Sequence, residues 1–134
     1  MKTKAIICDL DGTLVCNPNW TGDFEQFYTI LEEGYPIEWC KTLLESLAKN
    51  NIKIIFLTAR DEKCREQTIN QLNSWFDFDY ELYMRKNKDT TIDYLMKEEF
   101  LKEILERYDF LFTIDDNPLN CLMFKDYIPK LKVV

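Results

Sequence analysis

Four short apolar, β-prone runs punctuate this chain, and each one stops in a polar cluster. Ala5-Ile6-Ile7-Cys8 leads into Asp9-Leu10-Asp11-Gly12-Thr13, and Ile52 to Leu57 leads into Thr58-Ala59-Arg60-Asp61. Tyr80 to Met84 leads into Arg85-Lys86-Asn87-Lys88-Asp89, and Phe110 to Ile114 into Asp115-Asp116-Asn117-Pro118. The runs are apolar rather than alternating in character, the mark of strands covered on both faces. Helical patterns separate them. This order points to an α/β fold, a three-layer sandwich with a mainly parallel sheet. A last strand over Leu131 to Val134 would make the sheet five-stranded. In open sheets of this class ligands sit outside the carboxyl ends of the strands, which is where the four polar clusters fall.

The intervening helices are read from spacing. A short helix is expected around Asp23 to Leu31, where Phe24, Phe27, Tyr28 and Leu31 share a face. Pro36 suits the first turn of a helix running to about Asn50. A polar helix follows the second strand to about Trp75, a long one covers Ile92 to Tyr108, and a short one runs from Pro118 to about Lys125. On the long helix Met96, Phe100, Leu101, Ile104 and Tyr108 form one arc, and Glu98, Glu99, Lys102, Glu103 and Glu106 the opposite one. Lys97 falls inside the apolar arc. A lysine there either snorkels from a helix end or reaches a buried anion. The second outcome would bring it to the acidic cluster.

Composition narrows the chemistry. A chain of 134 residues suits a single domain over residues 1–134. Apolar residues make up 46% and aromatics 14%, as in a globular core. The net charge of −7 argues against broad coating of nucleic acid or an anionic membrane, but allows a local basic pocket. No apolar run approaches the roughly 20 residues of a membrane span, and the N-terminal run stops at Asp9, unlike a signal peptide. The five cysteines are odd in number and include no Cys-x-x-Cys, so free thiols in a reducing cytoplasm are expected. Histidine is absent, which removes Ser-His-Asp and Cys-His schemes and histidine-based zinc sites. Acid–base work must then rest mainly on carboxylates. Oxygen-only ligation favours a hard cation such as magnesium.

Asp9 and Asp11 stand two residues apart where a strand ends. Alone, they also fit a strand running into an acidic turn. Two such acids repel unless a cation, a shared proton or solvent relieves them. Taken with Asp115 and Asp116, three or four aspartates can share one magnesium ion, while a threonine, a lysine and arginines hold an anion. That set suits phosphoryl transfer, where positioning and charge neutralisation do most of the work. One carboxylate can act as nucleophile, and a second can handle protons.

With these residues in place, the chain resembles a haloacid dehalogenase (HAD) superfamily phosphatase. Asp9-Leu10-Asp11-Gly12-Thr13-Leu14 matches that superfamily's first motif, Thr58 after Ile54-Ile55-Phe56-Leu57 the second, Lys97 the third and Asp115-Asp116 the fourth. The resemblance runs from Ala5 to Val134. It implies Asp9 as nucleophile, passing through an aspartyl-phosphate, and Asp11 as general acid/base. It implies Mg2+ held by Asp9, the Asp11 backbone carbonyl and the terminal acidic pair, with Asp116 the preferred direct ligand and Asp115 direct or through water. Thr58 and Lys97 would hold the phosphoryl group. More narrowly, Arg60 after Thr58-Ala59, and the spacing Arg85…Asp89…Asp93…Lys97, resemble the 3′-phosphatase domain of phage-type polynucleotide kinase/phosphatases. That implies Arg60 and Arg85 near the substrate, a nucleic acid 3′ end as partner, and a role accessory to nucleic acid repair enzymes. The segment Leu14 to Asp23 lacks the arginine that group often has.

No large cap domain fits in the chain. The stretches Leu14 to Pro36 and after the Thr58 strand hold a flap or one helix each, so water exclusion falls to the substrate or a partner. An open site suits a terminal phosphate on a large molecule. Arg60, Lys63, Arg65, Arg85, Lys86 and Lys88 give it a basic rim or are a solvated surface. Trp20, Phe24, Phe27 and Tyr28 serve as core, or stack on a base. A small-molecule phosphatase and a non-catalytic HAD-like module remain the alternative readings.

Overall fold

A computed structural model describes residues 1–128 and the backbone of residues 132–133; of Phe24 it describes the backbone alone. Among the described residues, seven strands and five α-helices follow in order: β1 (Lys4–Cys8), β2 (Val15–Cys16), α1 (Phe24–Ile30), β3 (Tyr35–Pro36), α2 (Glu38–Lys49), β4 (Lys53–Asp61), α3 (Arg65–Trp75), β5 (Tyr80–Arg85), α4 (Asp93–Ile104), β6 (Asp109–Ile114), α5 (Pro118–Tyr127) and β7 (Lys132–Val133). Five strands form one sheet in the order β5-β4-β1-β6-β7, and every pairing in it is parallel. β2 and β3 make a separate antiparallel pair.

The continuous apolar strands feed two cores. Along β1, Ile6 and Cys8 pack into one cluster with Leu44 of α2 and Leu72 of α3. Ala5 and Ile7 point the other way, to Leu101 and Ile104 of α4 and Met123 and Phe124 of α5. β4 repeats the division, with Ile54 and Phe56 on one face and Ile55 and Leu57 on the other. This period of two between two helical layers makes the sandwich. Each fully buried Leu, Ile or Phe contributes roughly 1.5–3 kcal/mol relative to exposure. The sheet centre is therefore the stiffest part, and the site hangs from its carboxyl edge.

Local chemistry explains the boundaries. α2 ends at Asn50, and Asn51 takes φ 61°, the left-handed position that asparagine tolerates after a helix. Asn117 caps α5 by accepting the Leu119 N–H at 2.9 Å, with Pro118 in the first turn. Three sequence expectations shift. Pro36 lies in β3 opposite Val15, not in a helix, and α2 starts at Glu38; on a two-residue edge strand its missing N–H costs nothing. β4 does not stop at Leu57 but carries Thr58, Ala59 and Arg60 within it, with a register break between Thr58 and Asp61. α4 ends at Ile104, short of Tyr108, because the chain must turn to bring Asp109 against Thr3, whose carbonyl accepts its N–H at 2.9 Å. Of the last expected strand, Leu131 and Val134 lie outside the described residues, as does the Phe24 side chain.

Between β1 and α2 sits only the β2–β3 pair, α1 and a 3-10 turn over Leu31–Glu33. Phe27 and Leu31 of this flap are buried, with Tyr28 half-buried. Among the described residues no helix is long and apolar enough to cross a membrane.

Candidate active site

A cleft of about 690 Å³ opens along the carboxyl edge of β5, β4, β1 and β6. Adjacent parallel strands set its floor. Cys8 of β1 pairs with Ile114 of β6, so the next residues, Asp9 and Asp115, leave the sheet side by side. The Asp9 N–H donates to the Ile114 carbonyl at 2.9 Å, which holds the strand ends together. Carboxylate oxygens of Asp9, Asp115 and Asp116 lie within 4.8 Å of one another, two of these residues buried and Asp116 exposed.

Lys97 supplies the counter-charge. Its side chain is only 2% exposed, and its ammonium donates to Asp9 Oδ1 at 3.0 Å and Asp115 Oδ2 at 2.7 Å. It does not snorkel. Burial opposes its charge, but the Asp9 and Asp115 carboxylates outweigh that and hold it above the ordinary lysine value. Burial pushes the Asp9 carboxyl up to about 7, against the pull of Lys97 and with the help of Asp115. Lys97 thus serves two of the three clustered acids, and the excess negative charge is what a divalent cation would relieve.

The three acids are not equivalent. Asp115 is saturated: Oδ1 accepts the Asn117 N–H at 2.9 Å and Asn120 Nδ2 at 3.2 Å, and Oδ2 accepts Asn120 Nδ2 at 3.1 Å besides Lys97. Asp116 accepts the Thr13 hydroxyl, at 3.3 Å from Oδ1, and its carboxyl also bonds that of Asp9 and helps to raise the Asp9 pKa. The same hydroxyl reaches Asp9 Oδ2 at 3.2 Å. Gly12 lies over Asp116 with φ 83°, and a Cβ there would stand 2.4 Å from Asp116 Oδ2. Glycine is required both for that close approach and for the left-handed backbone. The donor set is oxygen only, one carboxylate is exposed, and the backbone above it is cut back to glycine, so these residues fit a hard divalent cation.

The wall formed by β4 and β5 differs. Arg60 is 4% exposed and grips Asp11 in a two-pronged pair, Nε to Oδ2 at 2.9 Å and Nη2 to Oδ1 at 2.8 Å. Its Nη1 donates to Thr68 Oγ1 at 3.1 Å and Gln71 Oε1 at 3.0 Å, and its guanidinium carbon lies 5.3 Å from the Phe27 ring centre. Arg85 pairs with Asp93 and donates to the carbonyls of Ala59, Asp89 and Thr91. Both arginines line the cleft, and most of their N–H donors go to protein groups, which fixes the wall they stand in. Thr58 is buried. Its hydroxyl accepts the Arg60 N–H at 3.1 Å, and its own hydrogen meets no protein acceptor among the described residues.

Asp9, Asp11, Thr58, Arg60, Arg85, Lys97, Asp115 and Asp116 all line this one cleft. Sequence reasoning assigned no role to Thr13, Asn120, Thr68 or Gln71. Thr13 stood in the quoted first motif, and its position after a glycine turn was the available signal. Asn120 sits on the first turns of the helix after the acid pair. Thr68 and Gln71 are polar residues on the buried side of α3; an i, i+3 polar pair on a core-facing arc is the sign of a buried ion needing partners.

The chain is similar to known proteins along nearly its whole length. Residues 3–133 match the family model HAD_PNKP, the polynucleotide kinase PNKP phosphatase domain. An Autographa californica nuclear polyhedrosis virus protein named "Putative bifunctional polynucleotide kinase/RNA ligase" is 29% identical over 126 residues, covering 92% of this chain and 18% of the viral protein. Two solved structures of the Pnkp1/Rnl/Hen1 complex, one described as an RNA repair complex, contain chains that superpose with TM-scores of 0.85 and 0.86 at 26% and 27% identity. They cover 99% of this chain and 42% and 45% of theirs. The chain thus spans less than half the length of these relatives. A class C acid phosphatase from Bacillus anthracis, solved with tungstate bound, shares the fold at a TM-score of 0.67 and 16% identity, over 90% of this chain and 54% of its own. This chain belongs to the polynucleotide kinase PNKP phosphatase-domain family and is a phosphatase of the HAD type.

Proposed function

We propose that residues 1–134 act as one magnesium-dependent phosphomonoesterase unit that removes a 3′-phosphate from nucleic acid ends through an aspartyl-phosphate. The observation that carries the reading is the carboxylate trio with one buried lysine bridging two of its members, Asp9 and Asp115. Asp9, Asp116 and the backbone carbonyl of Asp11 would hold Mg2+, with Asp115 direct or through water. When bound, the ion supplies charge neutralisation to the carboxylates and the phosphoryl oxygens.

The chain's own groups then divide the work. An Asp9 carboxylate oxygen attacks phosphorus, the bond to the leaving 3′-oxygen breaks, and Asp11 gives that oxygen its proton. Water next attacks the phosphorus of the acyl phosphate. Asp11 takes the water's proton, and inorganic phosphate leaves with the Asp9 carboxylate restored. Arg60 holds Asp11 by two parallel bonds, a geometry that fixes direction as well as distance. The Thr58 hydroxyl and Lys97 ammonium are the donors for phosphoryl oxygens. We propose Arg60 and Arg85 as positioning residues near the substrate.

The likeness to chains of an RNA repair complex supports an RNA 3′ end as substrate and repair enzymes as partners. Unpaired cysteines suit a cytoplasmic setting. The test is Asp9→Asn assayed with Mg2+ on a 3′-phosphorylated oligonucleotide and an aryl phosphate. Turnover should fall at least about a thousandfold on both, with the circular dichroism unchanged. Retained hydrolysis would remove the nucleophile. Activity unaffected by a chelator would remove the metal.

A further inference from the structure

Beyond the carboxylate trio, the cleft continues to a mouth that the chemistry above leaves unused. Asp61, at the end of β4, accepts the Lys63 N–H at Oδ1, 2.9 Å, and the Lys88 N–H at Oδ2, 3.2 Å. One carboxylate therefore fixes the backbone under two lysines that follow different strands. Lys88 is held at φ 65°, a left-handed conformation that is unfavourable for a non-glycine residue and persists only where neighbours impose it. Its exposed side chain lines the cleft and forms no ion pair among the described residues. Lys63 is exposed too, with its ammonium 4.0 Å from the centre of the Tyr28 ring. Tyr28 lines the cleft beside Trp20 and Phe27.

Charge shows why this mouth differs from an ordinary lysine-bearing surface. On the adjoining walls Arg60 is neutralised by Asp11, and Arg85 by Asp93. Around Tyr28 the acids are Asp61 and Glu25; Lys88 lines the cleft without an ion pair among the described residues, and the Lys63 ammonium stands over the ring, on a chain of net −7. That cation sits beside an aromatic ring, at the open end of a cleft whose deep end suits a phosphomonoester. A monoester needs none of it. A polynucleotide end does, because its next backbone phosphate and its base follow the terminal phosphate outward.

We propose that Lys63, Lys88 and the Tyr28 ring form a subsite for the penultimate nucleotide of the strand. The two ammonium groups receive the phosphodiester that joins it to the terminal nucleotide, and the ring receives its base. The proposal rests on the polynucleotide reading above and specifies which residues separate a strand end from a small phosphate ester.

The experiment compares a nucleoside 3′-phosphate with the dinucleotide 3′-phosphate of the same base, which adds one phosphodiester and one nucleoside. The gain in kcat/KM from the longer substrate is measured within each variant, so any loss common to both cancels. The intact protein should show a gain of at least about tenfold. In Lys63→Ala/Lys88→Ala most of that gain should vanish through KM, and the salt dependence should become shallower by about one in log–log slope. Lys63→Arg/Lys88→Arg should restore it, and Tyr28→Ala should remove the part of the gain that salt does not affect. An alanine pair that keeps the full gain overturns the subsite, as does an intact protein that cleaves both substrates with no gain; the phosphatase reading survives either. If the intact protein cleaves neither, that reading fails as well.

Discussion

The two walls of the cleft carry similar numbers of charges arranged on opposite plans. At the ends of β1 and β6, Asp9 and Asp115 share Lys97, and the neighbouring Asp116 has no ion pair among the described residues. At the ends of β4 and β5, Arg60 faces Asp11 and Arg85 faces Asp93, one partner each. The second wall is electrically closed and buries its arginine stems as scaffold. The first is left short of positive charge, which costs stability and creates demand for a cation. Unbalanced charge marks the wall suited to a cation, and paired charge marks the wall that fixes Asp11 in direction.

The comparison breaks hardest at Lys97. Lys97→Met keeps the volume and removes the only ammonium from the trio. The cation-free protein should lose about 3–5 kcal/mol, the cost of orphaning a buried charge, seen as a lower midpoint in urea. Added Mg2+ should recover part of that loss. Equal midpoints for variant and intact protein would mean that the carboxylates are already relieved by other means.

A smaller effect separates the two arginines. Arg60→Ala strands Asp11, Thr68 and Gln71 together and should cost about 2–3 kcal/mol, discounted because Asp11 is partly exposed. Arg85→Ala breaks a pair open to water and should cost about 1 kcal/mol. Arg60→Lys sharpens the point. It keeps the charge but loses the fork, so kcat on an aryl phosphate should fall about 10–100-fold with KM nearly unchanged. A rise in KM alone would return Arg60 to direct substrate contact.

How far the sequence carried this comparison follows from the same physics. The sheet was legible because β1 and β4 are covered on both faces, and nothing but an apolar run satisfies that. Lys97 was legible because a charge inside an apolar arc demands an explanation. The closed wall was not. A lone arginine in a sequence looks the same whether it faces solvent or Asp11, and the pairing joins residues 49 positions apart. The helix start at Glu38 was hidden for a local reason: proline suits both an edge strand and a first helical turn, and only the pairing of Pro36 with Val15 decides.

Next in size is Gly12→Ala. The left-handed backbone costs about 1–2 kcal/mol for any residue but glycine, and the added methyl must push Asp116 aside. Stability should fall by that amount, while Mg2+ affinity, measured by calorimetry, falls further than stability does. Unchanged affinity would mean that Asp116 is not a direct ligand.

The smallest effect is the most diagnostic of the open wall, because it is read on the protein without its cation. The Asp9 carboxyl is raised by burial from 3.8 to about 7 in the fold, so the folded state binds that proton more tightly than the unfolded chain does. Its stabilising contribution is complete below about pH 4 and is lost as pH rises to about 7. Lys97 adds no slope there, because its raised value keeps its contribution constant until above the ordinary lysine range. The cation-free protein should therefore melt lower at pH 8 than at pH 5.5 by about 5 °C or more, once the parallel change in Asp9→Asn is subtracted. Saturating Mg2+ should flatten the difference, because the ion competes with the proton for the same oxygens, and its affinity should climb through pH 7 and then level. If Asp9→Asn keeps the whole slope, the excess charge of this wall is stored on another acid.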